Sequence, residues 1–223
     1  MNAAWAIFVK DLTIELRLRQ VLPTMVVFAV VLVTVFGLAA QSQDRLAVEV
    51  ASGMLWLAFA FAGLLATERA FAAERESHTL AALTAAPIAR SAIFLGKCLS
   101  SAALVLLVQL FVLPLAGFFF ENQLAGCPVL PLAGLILLGD AALIIVGTLT
   151  GAMVAPSRIR GPLLTVLALP LLIPVLVFST ACTAELAVRG WTELAAQQMA
   201  TLAVFDVVFG AAAYLLFPHV IEQ

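Results

Sequence analysis

Six long apolar runs divide the chain: Val21–Ala40, Val50–Thr67, Cys98–Phe120, Val129–Val154, Pro162–Ala184 and Gln197–Pro218. A hydrocarbon layer about 30 Å thick is crossed by roughly twenty residues of helix, which is close to the length of each run. An unpaired backbone group in lipid is costly, so all six are predicted to be transmembrane helices rather than open strands. Ahead of them, residues 1–20 carry a different pattern. Trp5, Phe8, Val9, Leu12 and Leu16 recur at helical spacing, and Ile7, Ile14 and Leu18 widen the stripe. Lys10, Asp11, Glu15, Arg17 and Arg19 are polar. This predicts an amphipathic helix lying in the membrane interface. A tail that is helical only because the first span follows is the alternative. The interfacial reading is preferred because the stripe continues into that span. The fold class is therefore an all-α membrane protein, a single domain over 1–223.

One interruption stands out, residues 68–97. It carries Arg69, Arg75, Arg90 and Lys97 together with Glu68, Glu74 and Glu76, whereas Val50–Thr67 before it and Cys98–Phe120 after it carry no charge. A charged stretch of this length in an apolar chain belongs in water or against a water-soluble partner. Within it, Ser77 can cap a helix that starts near His78, Pro87 would end that helix, and Leu80 and Leu83 share one face. The pattern predicts a membrane-parallel helix presented to a soluble partner. Leu80 and Leu83 would form its apolar knob and Arg75, Glu76 and Arg90 its charged rim. Glu68 and Arg69 would hold its near end at the lipid boundary.

Composition agrees: 64% of the residues are hydrophobic, 11% are charged and the mean hydropathy is +1.16. A soluble domain of 223 residues would be about half apolar and a quarter charged. Membrane lipid is thus a partner of the chain. No basic patch suited to nucleic acid is present. Lysine and arginine also set an orientation. With the N-terminus in the cytoplasm, that side holds Lys10, Arg17, Arg19, Arg69, Arg75, Arg90, Lys97, Arg158 and Arg160, and the far side only Arg45 and Arg189. Six spans return the C-terminus to the cytoplasm. The first apolar run is longer than the core of a signal peptide, so the N-terminal segment is expected to be retained. Cys98, Cys127 and Cys182 form no CxxC. Ordinary small apolar thiols are preferred over a Cys127–Cys182 disulfide.

Little in the chain suits chemistry of its own. The nearest approach to a phosphate-binding loop is Ser91–Cys98, SAIFLGKC. It lacks the first glycine and the final Ser or Thr, and it opens a span, so any ATP would be bound by another chain. His78 and His219 read as interfacial histidines rather than haem ligands, and no spacing suits zinc. No GxSxG or Ser/His/Asp set is present. The chain therefore reads as a non-catalytic subunit that binds no cofactor or metal. Two features keep two readings each. Asp140 and Asp206 lie inside spans, where an acid is either a functional group, as in a proton relay, or a structural one bonded across helices; the structural reading is preferred. Pro170 and Pro174 in the fifth span make either a static kink or a hinge lining a path.

Three stretches resemble one family. Ser52–Phe71 (SGMLWLAFAFAGLLATERAF), Thr79–Ile88 (TLAALTAAPI) and Gly96–Ser101 (GKCLSS) are similar to the part that marks haem exporter protein B, the CcmB family. Leu167–Ala181 (LALPLLIPVLVFSTA) resembles its second signature. The chain departs from that pattern at His78, Ala81 and Ala82. The resemblance implies a type-2 ABC exporter permease architecture and a place in the bacterial inner membrane. It implies a role in cytochrome c maturation, with ATP hydrolysis in a separate cytoplasmic subunit (CcmA-like) tied to release of a haem-loaded periplasmic chaperone. Haem would be handled by a membrane partner (CcmC-like), beside a small membrane subunit (CcmD-like), and the permease would pair with itself. Two other classes stay open: a type-2 ABC permease for another substrate, and a proton-coupled secondary transporter using Asp140 and Asp206.

Overall fold

The computed structural model describes residues 3–19, 21–41, 48–76, 88–120, 124, 126–155 and 160–221. Seven helices account for nearly all of them: α1 (Ala3–Leu18), α2 (Val21–Gln41), α3 (Val48–Glu76), α4 (Arg90–Phe119), α5 (Val129–Val154), α6 (Arg160–Arg189) and α7 (Glu193–Val220). The last six are long and apolar enough to cross a membrane, which makes this an all-α membrane protein.

The helices overrun the apolar runs. α3 continues past Thr67 through Glu68 and Arg69 to Glu76, and α4 already starts at Arg90. The charged stretch is therefore not one separate element between two spans. Its two ends are turns of the long helices α3 and α4, and residues 77–87 lie outside the described residues. The unbroken apolar run ends at Thr67, but the alanine- and glutamate-rich sequence after it sustains helix.

α1 and α2 meet at a tight corner. Arg19 takes a left-handed conformation (φ 50) just past the end of α1, and its N–H bonds the Glu15 carbonyl at 2.7 Å. The Glu15 carboxylate then accepts from the backbone N–H groups of Val21 (2.7 Å) and Leu22 (2.8 Å), satisfying donors that the start of α2 would otherwise leave unpaired. At the far end, Thr192 caps α7 by accepting from the Ala195 N–H at 3.2 Å and donates to Glu185 at 2.9 Å.

α3 is the most buried span and α7 the least. α3 touches α2, α4, α5 and α6. Its inward positions include Ala51, Ala58, Ala60, Ala62 and Ala66, small residues that let neighbouring backbones come close. Between them Trp56 is fully enclosed. Its indole N–H donates to Thr183 of α6 at 2.8 Å, and its ring lies where a side chain on Gly139 of α5 would stand, 2.3 Å from an added Cβ. One tryptophan thus ties three helices, and only glycine fits beneath it. A second, smaller apolar cluster gathers Ile7 of α1, Phe71 of α3, Ile93 and Phe94 of α4, Ala152 of α5 and Phe217 of α7. It marks one end of the bundle, where α1 lies.

All three cysteines are free thiols. Cys127 donates weakly to the Thr183 carbonyl and Cys182 to that of Ala195, at 3.7 and 3.6 Å. Cys127 lies in the connection between spans, and burial pushes its thiol above the ordinary range.

Candidate functional site at the junction of α1, α3 and α4

The charged groups that the structure brings together are at the α1 end. Lys97, about two turns into α4, has a side chain only 1% exposed. Its ammonium meets the Asp11 carboxylate of α1 at 2.9 Å and donates to the Ala70 carbonyl of α3 at 2.5 Å. The same nitrogen lies 5.7 Å from the centre of the Phe71 ring. Lys10 approaches the other Asp11 oxygen at 3.1 Å, and Ser100 stands 3.5 Å from the first. An enclosed ammonium is tolerable only with a counter-charge and further acceptors, and this one has both. The residue before it explains how α1 gets near enough. A side chain on Gly96 would stand 2.8 Å from Ile7 and 2.9 Å from the Ala4 carbonyl. The Gly-Lys pair that resembled the end of a phosphate loop is a helix-docking point: glycine admits the backbone of α1 and lysine fastens it.

Further into the bundle, Asp140 of α5 is 4% exposed and accepts a hydrogen bond on Oδ1 from the Gln109 side-chain amide of α4 at 2.8 Å. Its Oδ2 is enclosed and has no partner among the described residues. Asp206 of α7 has both carboxyl oxygens enclosed, with no partner among the described residues. α5 and α7 pack against each other.

Of the residues expected to dock an ATPase, Glu68 is half-buried in α3, Arg69 beside it is exposed, and Arg90 is half-buried at the first residue of α4. Leu80 and Leu83, like Ser77 and His78, lie outside the described residues, as do the side chains of Arg75 and Glu76 in the last turn of α3. Pro170 and Pro174 sit within α6, which runs unbroken from Arg160 to Arg189, and both face outward from the bundle. His219, in the last turn of α7, is exposed, with its ring nitrogen 3.3 Å from the Leu215 carbonyl.

With that geometry in place, comparison with known proteins decides the family. The family pattern described as CcmB protein matches residues 2–222, nearly the whole chain. The chain belongs to the CcmB family. Among relatives, a Heme exporter protein B from Rhodobacter capsulatus is 33% identical over 190 residues, covering 85% of this chain and 84% of that one. The protein of the same name from Pseudomonas aeruginosa is 32% identical over 160 residues, 69% of this chain and 68% of that one. Another, from Paracoccus denitrificans, is 29% identical over 220 residues, 94% of this chain and 97% of that one. As a CcmB chain it offers two features that sequence reading missed. The Lys97–Asp11 tie joins residues far apart in the chain, and neither has a local signal. Gln109, which donates to Asp140 across helices, has no local signal in the sequence either.

Proposed function

We propose that this chain is the membrane permease subunit of an ABC complex for haem handling and cytochrome c maturation. ATP is hydrolysed by a separate cytoplasmic subunit, and its energy serves release of a haem-loaded periplasmic chaperone. Family membership and the name shared by the relatives support the haem assignment. In this reading the chain is non-catalytic and holds neither ATP nor haem. Haem rests with a membrane partner beside a small membrane subunit. The chain lies in a bacterial inner membrane with both termini cytoplasmic, which the lysine and arginine distribution favours. The motor of such a complex is a pair of ATPases, so the permease pairs with itself, with α2 as the contact. The outer face of α2 carries Val27, Val31, Val35 and Leu38, all more than half exposed.

The observation that carries the coupling role is the Lys97 tie. In sequence, residues 77–87 link the end of α3 to the start of α4, and Lys97 fastens both of those helix ends to each other and to α1. A push on that segment reaches three helices at once. Leu80 and Leu83 are the apolar anchor of the ATPase; Arg75, Glu76 and Arg90 are its rim, and Glu68 and Arg69 hold the near end. Pro170 and Pro174 let α6 flex as the bundle responds. A desolvated apolar anchor is worth more than a rim charge in water. Leu80→Ala with Leu83→Ala therefore weakens ATPase capture in a pull-down more than Arg75→Ala does. Glu68→Ala leaves the complex assembled but lowers the yield of matured cytochrome c. If the double leucine variant captures the ATPase and matures cytochrome normally, docking is elsewhere.

A further inference from the structure

A groove of about 570 Å³ runs between α4, α5 and α7. Leu95, Leu99 and Leu106 of α4, Leu137 of α5 and Tyr214 of α7 line it, and all of them are exposed, so it opens outward, to the lipid side of the bundle. One end lies at Phe94, whose ring is 5.2 Å from that of Phe217 in the apolar cluster beside α1. The other end comes about midway along the helices. Leu106 sits just past the middle of α4, and Leu137 about one turn past the middle of α5. Phe94 to Leu106 is on the order of 18 Å at the helical rise, roughly the depth of one leaflet in a hydrocarbon core about 30 Å thick. Spread over that length, the volume leaves a section on the order of 30 Å², far narrower than a helix of about 10–12 Å diameter.

Those dimensions decide what fills it. A spanning helix of a partner would need a wider groove that continues through both leaflets. A single acyl chain matches both the width and the depth. The chemistry of the wall agrees. It is apolar along its length; Asp140 borders it, but with Oδ2 enclosed. Polar groups come at the end beside α1. Tyr214 is three residues before Phe217, so its ring stands near that end, where a phenol meets lipid at the headgroup level. Arg90, the first residue of α4, lies one turn before Phe94, and its five N–H donors can serve a phosphate beside a protein neighbour. We infer that the groove holds one phospholipid with an anionic headgroup, drawn from the leaflet on the α1 side. One acyl chain lies between α4, α5 and α7, Tyr214 meets the glycerol region and Arg90 meets the headgroup.

The test uses the full chain, first in its own membranes and then purified in dodecyl maltoside. Two photoprobes carry the same diazirine-bearing acyl chains, one on phosphatidylglycerol and one on phosphatidylcholine. Crosslinks are mapped to peptides by mass spectrometry. The phosphatidylglycerol probe is expected to label the groove faces of α4, α5 and α7 roughly fivefold more than the other, the effect of one arginine near a headgroup. The outward face of α6, around Val166 and Ile173, is expected to show no such preference. Arg90→Gln removes the preference and leaves labelling by phosphatidylcholine unchanged. Gly210→Leu fills the groove and lowers labelling by both probes; an added Cβ there meets only Ile145, at an ordinary 3.5 Å. The readout is lipid contact, so it stands apart from the docking role proposed for Arg90. Equal labelling by the two probes, or the same preference on α6, would reduce the groove to ordinary lipid contact. A full preference in Arg90→Gln, or undiminished labelling in Gly210→Leu, would place the lipid elsewhere. Loss of the preference in excess glycerol phosphate would make this a site for a free phosphate. Groove labelling that appears only after purification would give the groove to a partner chain in the membrane. Any of these overturns the inference.

Discussion

Replacing Asp11 by alanine takes from the enclosed Lys97 ammonium the carboxylate that stands 2.9 Å from it. Removing one partner of a buried pair costs about 3–5 kcal/mol, while removing both charges together costs far less. Asp11→Ala should therefore lower the melting temperature in detergent sharply. The pair Asp11→Asn with Lys97→Met should recover much of that loss. Equal melting of Asp11→Ala and wild type would show that the ion pair does not hold α1 in place. Gly139 tests packing in the same way. An alanine there drives a methyl into the Trp56 ring, an overpacking cost of about 1–3 kcal/mol. Gly139→Ala combined with Trp56→Leu should lose less than the sum of the single variants, because the clash disappears with the ring. Strict additivity in a thermal-melt cycle would contradict the contact.

At the level of elements, α1 packs one edge on α4 through Ile7 and leaves Trp5, Val9, Ile14 and Leu16 outward, as a helix lying in the interface would. Its orientation can be read with thiols. Trp191, between α6 and α7, is 57% exposed, and Thr13 of α1 is exposed at the opposite end. In a chain otherwise without cysteine, an impermeant maleimide added to intact cells should label Trp191→Cys and spare Thr13→Cys; the reverse would invert the topology. Cys127 should react more slowly than the Trp191→Cys thiol. Its raised pKa leaves less thiolate at neutral pH, and its rate should climb further into the alkaline range before levelling. Much of this scale was legible in the sequence. The six apolar runs became six helices, and the stripe in residues 1–20 became α1, because bilayer thickness and helical periodicity leave few alternatives. Helix ends were not legible. An apolar run reports where unbroken hydrophobic sequence stops, and α3 and α4 continue past that point on helix propensity and on the packing of Phe71, Ile93 and Phe94. Nor were the Lys97–Asp11 and Asp140–Gln109 pairs, since a bond between distant helices leaves no local pattern.

For the whole molecule, the arrangement around Lys97 also bears on how the chain is made. Asp11 and the Ala70 carbonyl are both synthesised before Lys97 leaves the ribosome. The lysine thus enters the membrane boundary with its acceptors already waiting, and the fourth helix does not have to carry a naked charge while it finds its place. The first twenty residues then act as a built-in assistant for an insertion step some ninety residues later. A chain that starts after them should pay at that step, since an ammonium at a span end lacking its acid is costly in lipid. Pulse-labelled chains lacking residues 1–20 should insert the fourth helix poorly and be degraded faster than the full chain. Co-expressing residues 1–20 as a separate peptide should restore part of their lifetime. Equal lifetimes of the short and full chains would show that Lys97 finds its place without α1.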